Sequence, residues 1–165
     1  MTTGENPTSN EVEEDRSRDE ILQLVTFNLG VEEFGVDIHA LQEIIRMMAI
    51  TRVPKAPSFV EGVVNLRGQV IPIIDLRKRI GLDTFETHDK ATRIMVVQLA
   101  RKTVGFIVDA VGEVKRIPSR VVEPPPPIVA GIESEYIKGV GKLDDRLLIL
   151  LDLNKLLSED ERVQL

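Results

Sequence analysis

The stretch Gly62–Arg79, GVVNLRGQVIPIIDLRKR, decides how this chain is read. Two apolar β-type runs, Val63-Val64 and Val70–Ile74, are joined across Arg67-Gly68. Gly68 takes a positive φ at little cost, so the joint predicts a tight turn and a β-hairpin with Arg67 at its tip. Pro72 has no N–H to give to a ladder, which predicts an edge position or a bulge. Asp75-Leu76-Arg77-Lys78-Arg79 then reads as a helical turn closed by Gly81.

The same frame returns near the C-terminus in Tyr136–Leu157, YIKGVGKLDDRLLILLDLNKLL. With Phe59 on Tyr136 no gap is needed. Gly62 falls on Gly139, Val63 on Val140, Leu66 on Leu143, Asp75 on Asp152 and Leu76 on Leu153. The tip does not repeat, since Arg67-Gly68 falls on Asp144-Asp145. A second echo sets Phe34-Gly35 and the run to Ile44 on Val104-Gly105 and the run to Val114, with Ala40/Ala110 and Glu43/Glu113 in register. Two ungapped blocks in the same order predict one β-rich unit written twice, over about 21–82 and 93–157.

Composition sets the outer limits. A chain of 165 residues makes one domain or two small ones, and 42% apolar residues suffice for a core. With no cysteine there is no disulfide, thiolate metal site or cysteine nucleophile. The longest unbroken apolar run, Leu147–Leu151, is far short of a membrane span, and the N-terminus has no apolar signal region. A cytoplasmic location without membrane insertion is the default expectation. The net charge of −6 sits mostly in residues 1–20, which hold seven acids and two bases; the rest carries 19 bases against 20 acids. A near-neutral body with one tyrosine and no tryptophan argues against nucleic acid as a partner. Residues 1–19 read as a disordered acidic tail.

The remaining elements follow from pattern. Ile21–Leu29 alternates as a strand, with Leu22, Leu24 and Thr26 on one face and Val25 and Phe27 on the other. Glu33–Ile38 is a second strand. His39–Ile45 suits a helical turn or a strand. Ile50–Val53 reads as a strand stopped by Pro54 and Pro57, and Ser58 with Glu61 as a capping box for a single turn. Asp83–Thr92 is a polar linker. Arg93–Leu99 and Val104–Ala110 form a hairpin turning at Arg101-Lys102, and Val111–Ile117 continues as strand. Pro118-Ser119 opens a short turn, Pro124–Pro127 is extended, and Leu153–Glu161 reads as a closing helix. Strands dominate and every helix is short, which favours two small β-barrels over a wound α/β sheet.

Catalytic chemistry finds no foothold in these residues. His39 and His88, the two histidines, lack metal-ligand spacing, and no metal site is expected. No glycine-rich loop has the spacing or following helix that phosphate binding needs, so no cofactor is expected. Asp75 and Asp152 occupy matching repeat positions, but each stands where a strand gives way to a helical turn and makes a good N-cap. Pro124–Pro127 reads as a stiff connector, with an aromatic-groove ligand as the other possibility.

The order FGVDIHALQEI, VP, FVEGVVNLRGQVIPIIDLRKR, VGFIVDAVGEV, YIKGVG, DDRLLILLDLNKLL resembles the CheW-type chemotaxis coupling proteins over about residues 20–158. Residues 159–165 form an extension. The resemblance implies mainly β structure, as two interlocked five-stranded SH3-like barrels with short helices and a C-terminal helix. It implies no catalytic activity and no cofactor. It further implies an adaptor that bridges the cytoplasmic tips of chemoreceptors to the regulatory domain of the histidine kinase CheA, recruited to membrane-associated receptor arrays. A CheV-type adaptor lacking its receiver domain is the alternative, and a small-molecule-binding barrel a third reading.

The implied receptor-binding residues are Leu41 and Glu43 in LQEI, Gly62 and Arg67 in GVVNLRG, Val111 and Val114, and Gly139 in YIKGVG. Exposed aliphatics would floor a groove for a helix, glycine would let its backbone approach, and Arg67 and Glu43 would supply polar selectivity. The competing reading makes Leu41, Val111 and Val114 ordinary core residues, and Arg67 a structural ion-pair partner of Glu43. For the kinase contact the resemblance points to Met47, Met48, Ile50 and Val53 in MMAITRV, where adjacent methionines make an adaptable apolar surface. Buried packing is the competing reading there too.

Overall fold

The hairpin tip forms as the sequence requires. In the computed structural model, which describes residues 20–82 and 88–156, Arg67 and Gly68 both have left-handed backbones, with φ of 52° and 85°. Such a pair matches the twist of the flanking strands, β4 (Val60–Leu66) and β5 (Gln69–Asp75). Asn65 Oδ1 accepts the Gly68 N–H at 2.9 Å and braces the turn. Helix α1 (Leu76–Ile80) follows, capped by Asp75 and ended by Gly81 at φ 81°.

Eleven further strands complete the described chain. The first unit opens with β1 (Ile21–Leu29), β2 (Glu32–Asp37) and β3 (Leu41–Arg46). The second supplies β6 (Arg93–Leu99), β7 (Lys102–Val108), β8 (Ala110–Pro118) and the two-residue β9 (Val122–Glu123). A small hairpin of β10 (Ile128–Val129) and β11 (Ile132–Glu133) precedes β12 (Ile137–Leu143) and β13 (Arg146–Leu151).

Each sheet draws on both units. The five-stranded sheet runs β3-β6-β7-β5-β4 and the six-stranded sheet β8-β1-β2-β13-β12-β9. The opening hairpin of each unit therefore pairs with the later strands of the other. The two parallel joints, β5 with β7 and β13 with β2, are repeat equivalents. The chain is thus mainly β, and the two echoing blocks take matching places in its two sheets. The hydrogen-bonded order leaves both sheets open, so ten strands in two closed rings are not what the ladders draw. Both sheets nevertheless curl. The chain leaving edge strand β3 at Arg46 reaches the opposite edge by Thr51, whose N–H and C=O both bond Val63 at 2.8 Å. The chain leaving edge strand β8 does the same through Val122, which pairs with Gly141.

Packing follows the crossed topology. Small clusters fill each curl: Val64, Ile71, Ile73, Ile94, Val96 and Ile107 in one, Leu24, Ile117, Leu148 and Leu150 in the other. The largest cluster lies between the sheets and mixes the units, with Val25, Phe27, Phe34 and Val36 beside Met95, Val97, Phe106, Ile149 and Leu156. Phe27 and Phe34 stack at 5.6 Å. The alternation predicted for β1 is real, and its two faces serve two different cores: Leu24 enters the small cluster, Val25 and Phe27 the large one.

Arginines tie the units together. The Arg79 guanidinium lies 4.9 Å from the ring centres of both Phe59 and Tyr136, which are repeat counterparts. It also donates to the Leu156 carbonyl, its own counterpart in the repeat, and to Tyr136 Oη at 2.9 Å. Arg77 Nε donates to Asp109 Oδ1 at 2.9 Å, and Asp109 Oδ2 accepts the Gly30 N–H at 2.6 Å, linking α1 to turns of both units. Burial would push the Asp109 carboxyl up, but Arg77 and the Gly30 amide outweigh it and hold it below the usual range.

Several sequence readings need correction. Ile50–Val53 is not a strand: it pairs only at Thr51, because Pro54 ends the ladder and the segment serves as a crossing. Ser58 caps no helix; residues 58–59 make a turn and β4 begins at Val60, since the glycine-punctuated apolar run outweighs one capping signal. Pro72 lies in β5, an inner strand rather than an edge. It is tolerated because it faces Val63, whose backbone groups turn away to Thr51, and because pairing with β7 starts only at Ile73. His39–Ile45 resolves into both options, a 3-10 turn at Ile38–Ala40 and then β3. The hairpin of β6 and β7 turns at Ala100-Arg101, one residue early, with Ala100 at φ 54°. The closing segment is a 3-10 turn at Leu153–Leu156. The rest of the predicted closing helix, the acidic tail at residues 1–19 and linker residues 83–87 lie outside the described residues.

Candidate functional site

The candidate site is built on the two edge strands that are repeat counterparts, β3 and β8. Edge strands expose side chains that inner strands bury, and both here carry a bulge at the same repeat position. The register of β3 on β6 shifts between Leu41 and Glu43, and that of β8 on β1 shifts opposite Val25 and Phe27. Thr26 Oγ1 latches the second bulge, donating to the Glu113 carbonyl at 2.9 Å and accepting the Glu113 N–H at 3.0 Å. The bulges turn the strands so that alternate side chains divide between core and solvent. Leu41 and Val111, repeat counterparts, are half-buried against the central cluster. Val114 is exposed at 51%, and its counterpart Ile44 at 39%.

The polar pair comes together. Both carboxylate oxygens of Glu43 accept from one Arg67 nitrogen, at 2.6 and 2.7 Å. Glu43 lies on β3 and Arg67 at the tip between β4 and β5, so the pair spans the two open edges of the five-stranded sheet. Arg67 therefore has a local structural partner, the competing reading of the sequence. It remains 67% exposed, and Glu43 28%. The counterparts in the second unit, Glu113 and Asp144, are both acids, and Glu113 lies 3.8 Å from Lys115 on its own strand.

The two glycines have matching roles. Gly62 is buried at φ 146°, and a Cβ there would fall 2.1 Å from the Thr51 carbonyl oxygen. A Cβ on Gly139 would fall 2.5 Å from Val122 Cγ1 and 3.2 Å from the Glu123 carbonyl oxygen. In each unit the chain's own crossing segment makes the close approach that the glycine permits.

That crossing segment in the first unit holds the four residues assigned to the kinase contact. It is two-sided. Met47 and Ile50 pack on the small cluster of the five-stranded sheet, whereas Met48 and Val53 face solvent. The seven receptor-site residues fall into two sets, with Leu41, Glu43, Gly62 and Arg67 on the five-stranded sheet and Val111, Val114 and Gly139 on the six-stranded one. Sequence reasoning passed over Ile44. The register that sets Glu43 on Glu113 also sets Ile44 on Val114, and that was the signal for it.

Among the described residues no group of three or more His, Asp or Glu side chains is arranged to hold a metal ion. Nor is any helix among them long and apolar enough to cross a membrane. At the joint of β5 and α1, burial pushes the Asp75 carboxyl up, and the nearby Glu61 adds to this. The Lys78 N–H it caps opposes the rise without cancelling it.

Comparison with known proteins gives one consistent family. The family model of the CheW-like domain matches residues 23–161. The chain is 38% identical over 139 residues to the chemotaxis protein CheW of Klebsiella aerogenes, covering 84% of this chain and 83% of that protein. It is 39% identical over 146 residues to the chemotaxis protein CheW of Treponema pallidum, covering 87% and 86%. The crystal structure of the scaffolding protein TtCheW from Thermoanaerobacter tengcongensis superposes with a TM-score of 0.79 at 37% identity, over 86% of this chain and 96% of that one. Sequence match and crossed-sheet architecture agree across the described residues, and the chain belongs to the CheW-like domain family.

Proposed function

We propose that this chain is a non-enzymatic adaptor of bacterial chemotaxis, coupling the cytoplasmic tips of chemoreceptors to the histidine kinase CheA. The observation that carries the proposal is the family match over residues 23–161, in register with chemotaxis proteins over most of their length. The two curled sheets would be the SH3-like barrels of that family, within a functional domain of residues 20–158. The receptor face would comprise Leu41, Glu43, Arg67, Val111 and Val114, shaped by the crossings over Gly62 and Gly139. The apolar side chains of β3 and β8 suit the apolar stripe of a receptor helix, and the Glu43–Arg67 pair suits its polar margin. The kinase face would centre on Met48 and Val53, with Met47 and Ile50 anchoring the segment from beneath. The chain would work in the cytoplasm, recruited to membrane-associated receptor arrays through these contacts. Higher identity to CheW proteins than to a CheV-type relative favours the stand-alone coupler over the CheV-type alternative.

The test is reconstitution of receptor-dependent CheA activity with and without the purified chain. Stimulation only in its presence, with no ATP hydrolysis by the chain alone, is the expected result. Absence of stimulation together with absence of CheA binding in a pull-down overturns the proposal.

A further inference from the structure

The repeat places two depressions of about 270 Å³ at equivalent positions, one beside Asp75 and Arg77 and one beside Asp152 and Asn154. In the first, a resident guanidinium is already present, because Arg77 reaches Asp109. In the second, Asn154 stands at the repeat position of Arg77 and His39 at that of Asp109, so the arginine and its acid are both replaced. The floor changes with them. Leu22, Leu24, Leu99 and Leu150 line the second depression. At its rim lie Asp37 and Asp152, with Lys138 as the one cation.

We propose that this second depression binds an aliphatic guanidinium, with its stem on the leucine floor and its head between Asp37 and Asp152. Two carboxylates face one ammonium among the lining residues, with the His39 ring 2.8 Å from Asp37 Oδ1, so the rim is rich in acid. The planar fork of a guanidinium presents its donors to a carboxylate and to Asn154 Oδ1 in one fixed geometry, which the rotatable donors of an ammonium do not pre-organise. Asp37 stays ionised: burial pushes its carboxyl up, but the His39 N–H and ring, with Lys138 nearby, pull it lower overall. The volume lies just under the range of about 300–1,000 Å³ of small-molecule pockets, so the ligand is side-chain-sized. This inference is independent of the coupling function proposed above.

The experiment is an amide NMR titration of the full chain with butylguanidinium, with butyrate as the control of opposite charge. Saturable shifts at Gly35, Ala100 and Leu150 are expected with the first and none with the second. Agmatine and N-acetyl-argininamide then distinguish a free metabolite from a peptide-borne arginine; saturation by either supports the site. Asp37→Asn with Asp152→Asn keeps a capping oxygen at both positions and should weaken binding by about tenfold or more. Asn154→Arg returns the guanidinium found in the first unit and should abolish it. Equal binding of butyrate, no saturable shift, or full affinity in a folded Asn154→Arg chain overturns the proposal.

Discussion

Reversing Arg67 separates bracing from recognition. Its pair with Glu43 is bidentate on the acid, at 2.6 and 2.7 Å, but Arg67 is 67% exposed. Exposed ion pairs contribute about 0.2–1 kcal/mol. Arg67→Glu removes that and sets two carboxylates near one another, which adds about 1 kcal/mol at roughly 4 Å in a water-like dielectric. The expected cost is therefore about 1–2 kcal/mol, or a fall in Tm of about 3–6 °C for a chain of this size. The charge swap Glu43→Arg with Arg67→Glu rebuilds the pair and should recover stability to within about 0.5 kcal/mol. Receptor-stimulated kinase activity should fall in the single variant and stay low in the swap, because a partner then meets inverted charges. Thermal unfolding and reconstituted kinase activity on the same three proteins decide the matter. Recovery of coupling by the swap would refute the partner-facing role and leave Arg67 a brace between sheet edges. An unchanged Tm in the single variant would refute the energetic assignment.

Other expectations follow from the same geometry. Arg79→Ala removes two ring contacts and hydrogen bonds that join the units; with each cation–π contact worth about 0.5–2 kcal/mol, denaturant unfolding should show a loss of about 2–3 kcal/mol. Gly62→Ala drives a Cβ into the Thr51 carbonyl from a left-handed backbone, so it should cost more than about 3 kcal/mol or prevent folding, read from soluble yield and circular dichroism. Residues 20–82 expressed alone should give a poorly dispersed amide spectrum, since their strands pair with β6, β7, β8 and β13 rather than completing a sheet. Asp75→Asn should raise Tm at pH 7. The folded-state pKa of Asp75 is raised, so its ionisation opposes folding above that pKa and the gain should vanish below the ordinary aspartate range; an equal gain at pH 3 would refute this.

The sequence by itself determined the local grammar of this protein. Gly68 after Arg67 fixed a two-residue hairpin, Asp75 and Gly81 bounded a short helix, and the ungapped echo of Phe59–Leu76 in Tyr136–Leu153 marked two hairpins that take matching places in the sheets. These rest on backbone preferences and side-chain periodicity, which act between near neighbours and so are written in consecutive residues. The family resemblance supplied the candidate residues. Tertiary structure alone decided which strands pair across units, because the burial pattern of β1 or β7 states that both faces need cover without naming what covers them. It decided that Pro72 is tolerated inside a sheet, since only the pairing register shows that its missing N–H faces the end of a ladder. It also placed Glu43 against Arg67, 24 residues away, by curling a sheet until its edges met. The same curl divides Met47 and Ile50 from Met48 and Val53, a choice between core and surface that apolar residues in a crossing segment carry no periodic signal to make.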